Sequence, residues 1–66
     1  MKIGHNGFSD TYFIHNGYGS QTRYLNHSLE WEGYPASDRC RYLTFKEAET
    51  AIRNREHLDK LGENRI

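Results

Sequence analysis

The chain has 66 residues, nine basic and nine acidic side chains, a formal net charge of zero, one cysteine and 35% hydrophobic residues. That length makes one small domain, and one cysteine supplies neither an internal disulfide nor a thiolate-rich zinc site. The charge is also balanced on each side of Thr44, four of each sign before it and five of each from it onward, which excludes binding driven mainly by attraction to nucleic acid or an anionic membrane, and excludes a carboxylate-coated DNA mimic.

The amino-terminal segment is polar and glycine-rich, and no apolar run reaches the length of a signal peptide or membrane span, so a soluble, reducing, cytoplasmic setting is expected. Residues 1–10 read as a lead-in arm and turn. The tripeptide His-Asn-Gly occurs at His5 and again at His15, followed by Phe8 and Tyr18 respectively. Asn-Gly tolerates positive φ and favours tight turns. The second copy has strand-like flanks on both sides. The first has only residues 2–4 before it, which predicts a turn or a short edge pairing.

Residues 11–15 are rich in β-branched and aromatic types and predict a strand, with Tyr12 and Ile14 on one face and Phe13 and His15 on the other. Residues 22–25 are the return strand after a loop at 16–19. In residues 28–32 the alternation of Leu29 and Trp31 with Glu30 and Glu32 favours a short strand with Trp31 inward and both carboxylates outward. Residues 33–38 are a loop by composition, and 39–43 read as a last strand or an extended approach to the helix.

The helix is the clearest element. Thr44 precedes the first periodic apolar residue and Glu47 falls three places later, a capping box. The helix is expected from Phe45 to Leu61, with Gly62 as its left-handed terminator and 63–66 as a tail. Phe45, Ala48, Ala51 and Ile52 form one apolar face, and burying Phe45 and Ile52 is worth roughly 2–3 kcal/mol each. Beyond Ile52 the stripe fails, because Arg55 and Asp59 fall on its continuation while Leu58 and Leu61 rotate to another side. The distal half therefore either meets another chain, a homodimer included, or is covered by the loop or the arm. The fold class is α+β: a small antiparallel sheet of two to four strands packed by one carboxy-terminal helix.

Candidate chemistry is sparse. His5, His15, His27, Cys40 and Asp10 match no zinc spacing, and no metal or other cofactor is expected. Arg39 and Arg41 flank Cys40, but alternation places both opposite it, and the thiol reads as a small core residue. A chain this short has little room for a substrate pocket, so no catalytic residue is assigned and a non-enzyme is expected. Arg23, Arg39 and Arg41 with Tyr24 and Tyr42 are the nearest approach to a nucleic-acid surface, through phosphate neutralisation and base stacking. Nearby Glu30, Glu32 and Asp38 weigh against it, and structural aromatics with solvated arginines are preferred. Tyr18, Trp31, Tyr34 and Arg55 are of the residue types that dominate binding hot spots.

The run Tyr24-Leu25, Leu29-Glu30-Trp31, Leu43-Thr44-Phe45-Lys46-Glu47-Ala48-Glu49 and Ala51-Ile52 resembles small bacteriophage-encoded accessory proteins, in which two or three strands precede a helix opening on Phe and Glu-Ala. The resemblance covers about residues 11–53 and lies in core positions. It implies a phage or mobile-element protein that acts stoichiometrically on a host or defence complex, as anti-CRISPR proteins do. The expected partner surface comprises Tyr18, Glu30, Trp31, Glu32, Tyr34, Arg55, Leu58 and Leu61. The alternative is a small nucleic-acid-binding or regulatory module using Arg23, Arg39, Arg41 and Tyr42.

Overall fold

A computed structural model describes residues 1–63. Four strands, β1 (Lys2–Asn6), β2 (Thr11–Asn16), β3 (Arg23–Leu25) and β4 (Trp31–Glu32), form one antiparallel sheet in the order β1-β2-β3-β4. One helix, α1 (Phe45–Glu63), packs on one face. Among the described residues no helix is long and apolar enough to cross a membrane.

The amino-terminal arm is a full strand. β1 pairs with β2 over five residues, from Lys2 opposite His15 to Asn6 opposite Thr11, so the first Asn-Gly opens a four-residue loop. Asn6 Oδ1 accepts from the Phe8 amide, the side chain mimicking a backbone turn. Sequence patterning understated β1 because Gly4 interrupts it, and the compensation comes from across the sheet. The Phe13 ring lies over Gly4 so closely that a Cβ there would stand 2.2 Å from it. At the second Asn-Gly the connection is longer than expected, with a 3-10 turn at Gly19–Gln21. Gly17 takes φ 92°, and a Cβ there would meet the Gln21 carbonyl oxygen at 2.5 Å, so glycine is required.

The alternation over 28–32 yields only a two-residue strand, because Asn26 organises the chain before it. Its side-chain oxygen accepts from Ser28 and Glu30 amides while its backbone amide donates to the Glu30 carbonyl. Residues 39–43 are not a strand. A 3-10 turn at Asp38–Cys40 leads to a single antiparallel bridge in which Tyr42 exchanges both backbone hydrogen bonds with Tyr12, at 2.7 and 2.9 Å.

The core lies between the sheet and the first half of α1: Ile14, Leu25, Tyr42, Ala48 and Ala51, flanked by Ile3, Tyr12, Leu29, Trp31 and Ile52. Among the described residues Ile14 and Leu25 are its largest fully buried side chains, worth roughly 1.5–3 kcal/mol each. Phe45 is a correction. Expected in the core, it is 49% exposed, because as the first helical residue it leans edge-on against Tyr12 while Ala48 takes the central place. Gly62 is a second correction, lying inside the helix instead of ending it; beyond Glu63 the tail is outside the described residues. The capping box forms in a shifted version. Thr44 Oγ1 accepts from the Glu47 amide at 3.1 Å, and the Glu47 carboxylate reaches back to the amide of Leu43 at 3.0 Å.

Candidate interaction surface

The residues expected to bind a partner divide into those that the fold uses and those that it leaves free. Trp31 and Arg55 belong to the first group. Trp31 is half-buried against the core, with the Arg55 guanidinium 6.0 Å above its ring. Arg55 Nη1 donates to the Leu29 carbonyl at 2.6 Å, tying the middle of α1 to the turn before β4. Its Nε lies 3.1 Å from Asp59 Oδ1 but is not aligned for a hydrogen bond.

Glu32 also works internally. Its carboxylate accepts from Asn26 Nδ2 at 2.8 Å and from the Ser37 amide at 3.1 Å. These bonds, Asn26 first, hold its pKa down at about 2 against an ordinary 4.5. The expected acidic edge of Glu30 and Glu32 therefore reduces to one solvent-facing carboxylate, Glu30. The same charge, after burial itself, helps push the Cys40 thiol up to about 11. Cys40 is 3% exposed and donates to the Tyr24 carbonyl, an unreactive arrangement.

The free group is apolar. Tyr18 is 89% exposed and Tyr34, which precedes the cis peptide to Pro35, is 84% exposed. Phe8 is fully exposed at the tip of the β1–β2 loop. It was absent from the expected surface, although its position directly after Asn-Gly was a signal for an outward ring. Leu58 and Leu61 are about half exposed on the distal turns of α1, so neither the loop nor the arm covers them.

Next to them runs a groove that the sequence did not suggest. It has a volume of about 830 Å³, and its walls include Leu29, Tyr42, Leu43, Glu47, Ala51 and Asn54. Leu43 stands at its edge, 73% exposed. Ala51 is the smallest side chain among its lining residues, beside Tyr42 and Leu29. The helix lines it with Lys46, Glu47, Thr50, Ala51 and Asn54.

The residues proposed for nucleic acid are not gathered on one surface. Tyr42 is 2% exposed and stacked on His27, its hydroxyl donating between the Leu25 and Asn26 carbonyls, so it offers no ring face to a base. Burial raises that phenol to about 12. Arg23 is exposed at the start of β3, Arg39 donates to Ser28 Oγ, and Arg41 pairs with Asp38 at 3.5 Å. Phe13, His15 and Tyr24 instead line the sheet face opposite α1, with ring centroids 5.5 and 5.9 Å apart along the row. Among the described residues no three His, Cys, Asp or Glu side chains converge in a metal-binding group. No family model, curated protein or solved structure matches the chain.

Proposed function

We propose that this chain is a non-catalytic accessory protein, of the phage or mobile-element type that its sequence resembles, which binds a host or defence protein complex and blocks it by occlusion. An anti-CRISPR role is one form of this. The observation that supports it is where the large rings go. A domain of 66 residues with nine aromatics needs them for its core, yet Phe8, Tyr18 and Tyr34 stand in solvent at loop tips. Rigid aromatic side chains on loops held by a sheet contribute much of the energy in protein interfaces. Mimicry of nucleic acid has less support than occlusion, because Glu32 is engaged and Glu30 stands alone.

The test is affinity purification of the tagged protein from a bacterial host, with and without nuclease, followed by mass spectrometry. A protein complex retained after nuclease and lost with Tyr18→Ser and Tyr34→Ser supports the reading. Recovery of nucleic acid, with all protein partners released by digestion, replaces it with the nucleic-acid module. No specific partner from any host that carries the gene overturns both.

A further inference from the structure

We infer that the sheet face opposite α1 binds single-stranded nucleic acid, stacking bases on Phe13, His15 and Tyr24 and seating phosphates at Lys2 and Arg41. This goes beyond the protein-partner reading above and does not depend on it. The placement follows from register. Ile3 and Ile14 stand opposite each other and pack in the core, so Lys2 and Gly4 on β1, and Phe13 and His15 on β2, turn to the other face. Tyr24, opposite His15, joins them. The bridge between Tyr12 and Tyr42 continues the pattern: Tyr42 turns inward, and Arg41 emerges beside Phe13.

Phe13 is the centre of the row, 5.5 Å from the His15 ring and 5.9 Å from that of Tyr24. Its ring lies across β1 over Gly4, where a Cβ would stand 2.2 Å away. All three rings are half-buried, anchored by the sheet yet still presenting surface to solvent. A shallow hollow lies at each end. One, about 260 Å³, is bounded in part by Phe13, Tyr24, Asn6 and Arg41. The other, about 210 Å³, is bounded in part by His15, Lys2, Asn16 and Tyr18. Each combines an aromatic ring, a side-chain amide and a cation, the groups that meet a base face, a base edge and a phosphate. Lys2 and Arg41 flank β2 from opposite sides, two residues out of step, roughly 12 Å apart at the backbone. A few nucleotides cover that span.

The chemistry of the face selects this occupant. A protein interface closes on an apolar centre depleted in charge, and in lysine above all, whereas here cations and amides stand among the rings. A neutral polysaccharide would use the rings and leave both cations without a role. Of the carboxylates beside the face, Glu32 is held by Asn26 and Ser37. Asp38 makes only a largely exposed pair with Arg41 at 3.5 Å, weak enough for a phosphate to displace. Stacking carries most of the affinity, as suits a chain of zero formal charge.

Fluorescence anisotropy of the full chain with a labelled oligothymidylate about ten nucleotides long tests the site. Binding should appear below about 10⁻⁴ M protein and weaken about sevenfold between about 50 and 200 mM salt, as two phosphate contacts on a single strand require. Oligouridylate should bind within a few-fold, because base faces and phosphates are common to DNA and RNA. Tyr24→Ala should weaken binding about tenfold, the loss of one stacked base, with the far-ultraviolet circular dichroism unchanged. Lys2→Glu combined with Arg41→Glu changes two exposed side chains, keeps the site testable if Tyr24→Ala unfolds, and should flatten the salt response. In amide NMR spectra the oligonucleotide should shift residues 2–4, 13–15 and 24 and leave α1 beyond Glu56 unmoved. Absence of binding at about 10⁻⁴ M overturns the proposal. So does binding that the variants leave intact, shifts confined to α1, or equally tight binding of the neutral sugar cellohexaose.

Discussion

The two halves of α1 have similar composition and opposite roles. From Phe45 to Arg55 the helix supplies Ala48, Ala51 and Ile52 to the core and clamps Arg55 over Trp31. From Glu56 onward the described side chains are exposed, the two leucines among them. Both halves contain apolar residues at helical spacing, so periodicity does not separate them. The sheet does: its strands are short, and the helix runs past their end. The first half is held by tertiary contacts and the second by its continuity with the first, since a few turns have little stability in isolation.

The contrast breaks most severely if the core under the first half is removed. Leu25→Ala should cost about 2–5 kcal/mol, the range for a buried leucine whose site cannot collapse fully. That is a large part of the stability of a domain this small. Thermal melting by circular dichroism should show a greatly lowered or absent cooperative transition. A change within a few degrees would mean that Leu25 lies less deep than the structure shows.

A matched pair of substitutions sharpens the comparison. Ile52→Ala is half-buried against the core and should lower stability by about 1–2 kcal/mol at any protein concentration. Leu58→Ala should change it by under about 0.5 kcal/mol in dilute solution, as for an exposed residue. Equal effects at low concentration would place the distal half in the folded core.

Much of this division was legible in the sequence. The capping box, the failure of the apolar stripe after Ile52 and the rotation of Leu58 and Leu61 to another side all follow from spacing alone. The α+β class and the strand at 11–15 did as well. Three features were hidden, each because a contact from elsewhere in the chain decides it. β1 looked too short, since the ring that covers Gly4 comes from β2. Glu32 looked free, since its donors sit at Asn26 and Ser37. Tyr42 reads as structural in preference to a stacking ring, but its place in the core was hidden, since only the bridge to Tyr12 shows it. The groove was equally invisible, being lined by Ala51 on the helix and by Leu29 and Leu43 from elsewhere in the chain.

The cap tests where the well-held half begins. Thr44→Ala removes the acceptor for the Glu47 amide and should cost about 1 kcal/mol, the usual value for a lost hydroxyl cap. Amide exchange should quicken at Glu47 and its neighbours in the first turn and leave the turns beyond Glu56 unaffected. Faster exchange along the whole helix would show that α1 opens as one unit and would remove the distinction between its halves.

The smallest effect separates the second half of the molecule's polar surface from its interior. Because the Glu32 carboxyl titrates at about 2 in the folded chain against an ordinary 4.5, its charge stabilises the fold fully above pH 4.5. That contribution should fall away as pH drops through this window and be gone below about 2. Other carboxylates titrate in the same range, so the informative quantity is the difference between wild type and Glu32→Gln. The substitution keeps the shape and removes the charge that Asn26 and Ser37 bind. Denaturant midpoints should differ at neutral pH and converge as the solution is made acid, with wild type the more stable at the start. Parallel profiles would mean that solvent, and not Asn26 and Ser37, sets the state of Glu32. Glu30 and Glu32 would then regain their place as a shared acidic edge, and occlusion would lose its advantage over mimicry.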